Sequence, residues 1–515
     1  MHARFPEQAD LSHRNSGQPS SNPVRRTVLK GAGAMAMALG TLHLVGEKAS
    51  LPERMRLASD STSLPDIQFE IGAFIDPPQT LNDGGGDVVI NQPPVHTVFT
   101  TARLNRTPSQ ADQQMLGDAL AAIEANYPFA AGGIITFISY GIPYFDKLPG
   151  GLNGSLVAAH MPRLAKDGST YALQEAVPGP TDVSPLNPGV TKQTFNVPVK
   201  IESNDFLITL RSDNTAYISD VLAWLGGSNS LAGRSFQSPS LFKGLATVTS
   251  SRAEFVQLGL PAYVASSNGL PFAGEIDVNS PMWMSFSDEQ MAGAGPAAIC
   301  TFAGDSSAHL TTAKPGDYFD NGAIQHLSHV IEDLAQFYAR PSAADPTGEP
   351  FTERVQYMFR SNPIPSTGNA NDQFTNNGGP SILPDVFQGT GDAANNAAAI
   401  NTFNGEHRLG HVSCLQRSSR ASDGTPIHIR MDGPGFDNMD VPDGSNQPKL
   451  QFTIFVPTAE FFRVMRINQA SLDLQKQFGV NPDDNGLERF LTATRRQNFL
   501  VPPRRNRAFP LVEFA

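Results

Sequence analysis

The 515-residue chain is short of cysteine: it has only Cys300 and Cys414. Two cysteines exclude a disulfide framework and a cysteine-based zinc site, and leave one bridge or two buried thiols as the alternatives. Positive charge is also scarce. Lys and Arg number 37 against 49 Asp and Glu, for a net charge of −12. A folded chain of this sign offers no broad basic face, so nucleic acid is not expected as a partner. Long apolar runs are missing too. The one weakly apolar stretch, Gly31 to Gly46, is shorter than the ~20 residues that a spanning helix requires. No lasting membrane span is expected, unless that segment stays attached as an uncleaved anchor.

What is abundant is loop-forming residues, 45 Gly and 41 Pro, in a chain long enough for two domains with substantial cores. Residues 1–65 read as an address and linker. "NPVRRTVLKGAGAMAMALG" carries Arg25-Arg26, then Val28-Leu29-Lys30, then the modest apolar stretch. Paired arginines in that setting are the pattern of a twin-arginine export signal, with the Tat translocase as partner. The expected location is periplasmic, cell-envelope or extracellular. This route carries folded proteins, which points toward a cofactor inserted before export.

From Asp66 the chain alternates strands and helices. "VHTVFTTARLN" (95–105) alternates as a strand. "TPSQADQQMLGDALAAIEANY" starts at a Thr-Pro cap and spaces Met115, Leu116, Leu120 and Ile123 as a helix does. "GGIITFISYGIPYFDKL" (132–148) reads as a strand, "NDFLITLRSDNTAYISDVLAWLGG" as strand, Asp-Asn cap, helix and Gly stop, and "LFKGLATVTS" (241–250) as a strand. The second half repeats the plan. "AAICTFAG" and "GAIQHLSHV" read as strands, "IEDLAQFYAR" as a helix, "KLQFTIFVP" as a strand, the segment capped by Thr458 as a helix, and "NGLERFLTATRRQNFLVPP" as a short helix and a last strand. The fold class is therefore α+β: two ferredoxin-like domains with antiparallel sheets, at 66–250 and 251–515. Residues 341–405, rich in Asn, Gly, Pro and Asp, read as a loop insertion in the second.

Four stretches, in this order, resemble the dye-decolourising (DyP-type) haem peroxidases, whose domains are of the dimeric α+β barrel type. They are "GIITFISYGIPYFDKL", "NDFLITLRSDNTAYISDVLAWL", "HVSCLQRSSRASDGTPIHIRMDGPGFD" and "GLERFLTATRRQNFLVPPR". The resemblance spans roughly 66–340 and 405–515. It implies haem b as cofactor, hydrogen peroxide as substrate and an organic electron donor as reductant. Carried over by position, His411 is the axial ligand of the haem iron and Arg430 the distal arginine, which also touches the cofactor. Asp484 and Glu488 are the nearest matches to the acid that supports the proximal imidazole. Gly424 would turn the chain between His411 and Arg430 into a hairpin-like pair. Asp288, in "MWMSFSDEQMAG" (282–293), matches the acid of the family's Gly-x-x-Asp-Gly motif, which shuttles the peroxide proton. Both glycines of that motif are replaced, by Ser285 and Glu289, and Asp432 stands where some relatives carry Asn. These departures keep two rivals open: a haem-binding or iron-acquisition protein with little turnover, and a haem-less interaction scaffold.

Other features have plainer readings. His326, His329 and Glu332 would share a helix face as a metal site, but a strand for "AIQHLSHV" puts the two histidines on opposite faces. His428 would share the face of Arg430 as a polar neighbour. Arginines 495, 496, 504, 505 and 507 read first as internally paired charge, with a contact in a homo-oligomer as the alternative. Trp283 and Tyr263 are aromatic candidates for electron relay that nothing in the sequence singles out.

Overall fold

The computed structural model describes residues 64–77, 79–82, 87–90, 92–175, 194–284, 297–304, 310–339, 429–459 and 490–515. The export signal, the 341–405 insertion, His411, Cys414, Asp288, Ser285, Glu289, Gly424, His428, Asp484, Glu488 and the helix expected after Thr458 lie outside the described residues.

The first half is a βαββαβ unit: β1 (His96–Leu104), α1 (Gln110–Asn126), β2 (Ile135–Tyr140), β3 (Phe206–Ser212), α2 (Thr215–Leu225) and β4 (Ala246–Phe255). Helix α1 buries Leu116, Ala119, Leu120 and Ile123, the one-sided spacing of a helix laid on a sheet. Its cap is Ser109 and not the Thr-Pro pair: the Ser109 hydroxyl accepts from the Asp112 amide, and Asp112 accepts from the Ser109 amide. The Asn214 side chain caps α2 by accepting from Ala216. The strands pair in the order β4–β1–β3–β2, antiparallel throughout. Each β-α-β crossover thus skips one strand, which is the ferredoxin-like arrangement.

The second half builds the same order from β5 (Ala323–Glu332), β6 (Ile429–Arg430), β7 (Gly433–Asp437), β8 (Gln447–Val456) and β9 (Leu491–Val501). The sequence is β9–β5–β8–β6, with β7 continuing along β8. The fold class is α+β, as expected. Four local readings are corrected. Residues Ala297–Cys300 of "AAICTFAG" form a 3-10 turn. Leu241–Leu245 form a π-helical turn before β4. In "GIITFISYGIPYFDKL" the strand stops at Tyr140 and Ile142–Asp146 is helical. Strand β5 runs on through Ile331 and Glu332, so the helix expected over "IEDLAQFYAR" shrinks to Leu334–Phe337. Pairing with β8 and β9 outcompetes helix propensity there, and both faces of β5 are covered.

The halves join edge to edge through one register pair between β2 and β9, Leu500 with Tyr140, and through Lys200 and Ile201, which pair in parallel with Arg495 and Arg496 of β9. The Gln68 side chain reinforces this thin joint. It donates to the carbonyls of Ile138 (3.0 Å) and Pro502 (2.7 Å) and accepts from the Ile138 amide (3.1 Å). The sheet also curls until its far edges meet. A Cβ on Gly433 of β7 would lie 2.6 Å from Val256, and one on Gly435 2.9 Å from the Ala253 carbonyl of β4. Glycine is what permits that approach. Trp283 covers the seam, its indole donating to the Gly435 carbonyl at 3.0 Å. Inside the resulting ring, Phe99, Phe137 and Leu207 of the first half meet Leu327, Phe455 and Phe499 of the second in one apolar cluster.

Candidate functional site

Strand alternation gives the sheet an inner face, turned into the ring, and an outer face. In the first half the outer face is mostly apolar: Val98, Ile138, Ile208 and Leu210 pack against Leu116, Leu120, Ile218 and Leu222 of α1 and α2, with His96, Thr100, Thr136, Ser212 and Ser251 as buried polar members of the same rows. The outer face of the second half differs. Arg430 pairs with Ile454, Ile454 with His326, and His326 with Asn498. These residues form one row across β6, β8, β5 and β9. Ser328 pairs with both Phe452 and Arg496, and the register of β7 on β8 sets Asp432 level with Phe452. Two adjacent rows therefore bring together Arg430, Asp432, His326, Ser328, Arg496 and Asn498.

Burial shapes the chemistry of this patch. His326, Ser328, Arg496 and Asn498 are buried, whereas Arg430 and Asp432 are half-buried at its open edge. The His326 ring bonds through Nδ1 to Asn498 and through Nε2 to the Ser328 hydroxyl at 2.5 Å. Both ring nitrogens are thus engaged, and His326 is not poised as a metal ligand. Glu332, at the end of β5, is fully enclosed. Burial first, and then the negative charge of Asp432, raise its carboxyl to about 8. A proton-holding acid therefore sits in the electrostatic field of the patch.

Of the residues singled out in the sequence, Arg430 is placed on this face, and His411 and Asp288 lie outside the described residues. His326 and His329 sit on opposite faces of β5, as a strand requires. His329 points inward, bonded to Thr494 (3.0 Å) and Asp437 (3.2 Å). Among the described residues no His, Cys, Asp and Glu group forms a metal site. Cys300 is a buried free thiol. The C-terminal arginines are internally paired: Arg495 with Asp440 and Glu202, Arg504 and Arg507 with Glu124, and Arg505 with Asp66 and Asp320. Arg496 lies in the patch, level with Ser328. Ser328 and Asn498 were missed. The available signal was polar residues at period two, "H-x-S" and "R-x-N", inside strands that are otherwise apolar.

A family of unknown function, DUF7405, has a model that matches residues 173–503. No curated relative matches the chain. Among solved structures the chain is similar to the encapsulated DyP-type peroxidase of Mycobacterium smegmatis, at 14% identity over 80% of this chain and 94% of that one, with a TM-score of 0.41. It is similar to the DyP-type peroxidase of Cellulomonas bogoriensis at 12% identity, over 84% and 95%, with a TM-score of 0.44. It is also similar to the dye-decolorizing peroxidase of Bacteroides thetaiotaomicron at 12% identity, over 84% and 97%, with a TM-score of 0.39. Likeness of this degree carries no inference about chemistry. Among the described residues no helix is long and apolar enough to cross a membrane.

Proposed function

The chain belongs to the DUF7405 family, whose function is unknown, and on that premise we propose that it is an exported, haem-dependent, peroxidase-like oxidoreductase that reduces hydrogen peroxide with electrons from an organic donor. One observation carries the reading. Arg430, the distal arginine of the DyP-type resemblance, stands half-buried on the outer face of the second half, at the edge of a mixed apolar and polar patch. The tandem ferredoxin-like order of the strands, read from their own pairings, suits the same family.

The described part of the donor set fits haem b. A planar apolar group needs an apolar floor, which Ile454 and Phe452 supply, and a fixed cation near its reacting face, which Arg430 supplies. His326 is already bonded at both nitrogens, and axial ligation is given to His411, as the DyP-type resemblance implies. Bound haem would supply redox-active iron for peroxide reduction. The Arg430 guanidinium stays charged at any working pH and would stabilise the negative charge that develops as the O–O bond breaks. The Asp288 carboxyl would take the proton from one peroxide oxygen and return it to the other. Arg25 and Arg26 would direct export of the folded chain, and lysine at both positions should retain it in the cytoplasm.

Asp432 favours a second reading, haem binding with little turnover, because its carboxylate stands two residues from Arg430 and opposes that charge. Protein purified from a haem-supplied culture should show a Soret band at stoichiometric occupancy. His411→Ala should lose most of that band. Arg430→Leu should keep it and slow peroxide turnover by ~10²–10³. Asp288→Asn should also keep it and slow turnover by ~10²–10⁴. A full Soret band without turnover in the wild type supports the second reading. Failure to take up haem removes both and leaves the interaction scaffold.

A further inference from the structure

The inner face of the ring carries polar groups that the outer site does not use. Register turns Arg252 (paired with Phe99), Gln451 (paired with His329 and Gly433) and Thr453 (paired with Leu327) inward. All three are buried. Arg252 gives Nη2 to Glu202. Its Nε and Nη1, both amide atoms of Gln451 and the Thr453 hydroxyl have no hydrogen-bond partner. Enclosing this many polar atoms unmet is costly, and native interiors avoid it.

These groups converge. Gln451 and Thr453 are two apart on β8 and face the same way. A Cβ on Gly435 would lie 3.1 Å from Gln451 Nε2 and 2.9 Å from the carbonyl of Ala253, the residue after Arg252. The Gln451 amide therefore lies at the seam with β4, beside Arg252. The charge of Arg252 also bears on His329, the cross-strand neighbour of Gln451. Gly433 and Gly435 put no side chain into this corner.

Glu202 is shared between Arg252 and Arg495. A second buried guanidinium, Arg211, faces the same interior and spends its Nε on the Thr97 hydroxyl at 3.0 Å. Glu254 acts on it with opposite charge, and burial raises the Glu254 carboxyl well above the ordinary carboxylate range. On Arg252 and Gln451 the unmet nitrogen donors, Nε, Nη1 and Nε2, outnumber the one unmet amide oxygen.

We propose that the interior of the ring binds one small monovalent oxyanion, a carboxylate or a planar inorganic anion, on Arg252, Gln451 and Thr453. A guanidinium, a primary amide and a hydroxyl are donors suited to an anion's oxygens, and a site sealed from water strengthens each bond. The proposal is independent of haem and of peroxide turnover.

The test titrates the full chain with sodium formate and, separately, with sodium nitrate, by calorimetry and thermal unfolding, against sodium chloride at equal ionic strength. Binding of one anion per chain with a saturable rise in Tm is expected in at least one arm; formate alone indicates a carboxylate site, and nitrate an inorganic one. Gln451→Leu and Thr453→Val each remove an unmet polar group, so both should fold. Each should weaken the anion by about tenfold or more. Arg252→Gln should abolish binding where it folds. Equal Tm in formate, nitrate and chloride overturns the proposal. So does binding that persists at full strength in the Gln451→Leu, Thr453→Val double variant.

Discussion

The two halves have the same strand order, and among the described residues their outer faces differ in the charged groups that only the second brings together, Arg430, Asp432 and Arg496. On β1–β4 the outward rows set aliphatic residues against the apolar sides of α1 and α2 and also hold the buried polar residues His96, Thr100, Thr136, Ser212 and Ser251. On β5–β9 the corresponding face interrupts its apolar rows with His326, Ser328, Arg496 and Asn498, and ends in Arg430 and Asp432. The lesson is that period-2 alternation is enough to specify this topology twice, while the identity of a few outward residues decides whether a half is scaffold or site. The first half sets most of its face against helices and pairs Thr100 with Ser251 within it, whereas the second adds charged groups at a half-buried edge. These modes of stabilisation respond differently to substitution.

The largest effect is expected in the first half. Leu222 lies on the inward side of α2 and is fully buried. Leu222→Ala removes apolar area and leaves a cavity that the surrounding strands fill only in part, at a cost of about 2–5 kcal/mol. Urea unfolding measures it. A loss below about 1 kcal/mol would mean that the helix-covered face is not the rigid half of the pair.

A pH dependence is expected from the second half. Glu332 has a folded value of about 8 against an ordinary 4.5, because burial and the charge of Asp432 disfavour its ionised form. The folded chain therefore keeps a proton that the unfolded chain releases above pH 4.5. The associated stability is fully present below that value and is lost as pH rises toward 8. Glu332→Gln should flatten the fall of stability between pH 5 and 8, and at pH 8 it should be the more stable protein by a few kcal/mol. Parallel pH profiles for wild type and variant would show that the Glu332 carboxyl ionises as freely as in water.

Much of the fold was legible because strands covered on one or both faces announce themselves by alternation and by apolar runs, and helices by Leu116–Leu120–Ile123 spacing. "IEDLAQFYAR" was misread for a physical reason. Ile331 and Glu332 suit a helix locally, but pairing of Ile331 with Thr492 and Lys449 on the flanking strands holds them extended. The site was legible only through Arg430. The buried network around His326 requires two strands that stand far apart in sequence, Ala323–Glu332 and Leu491–Val501, and a sequence read alone does not reveal which of its polar residues become neighbours. The C-terminal arginines show the same limit: their carboxylate partners come from as far away as Asp66 and Glu124.

The smallest expected effect separates the halves most sharply. His326 bonds to Asn498 and Ser328 within the sheet. His326→Leu keeps the volume and removes both partners, so the Asn498 amide and the Ser328 hydroxyl lose a bond in a buried site. The cost should be about 1–3 kcal/mol. Adding Asn498→Leu removes one of the groups that was left, and an apolar pair in that row resembles the outer face of the first half. The double variant should therefore be more stable than His326→Leu alone, a non-additive result that urea unfolding of the double-mutant cycle measures directly. Simple addition of the two losses would mean that the pair does not act as a unit. The second half would then hold its outer face as the first does, by apolar contact, with His326 and Asn498 as separate passengers.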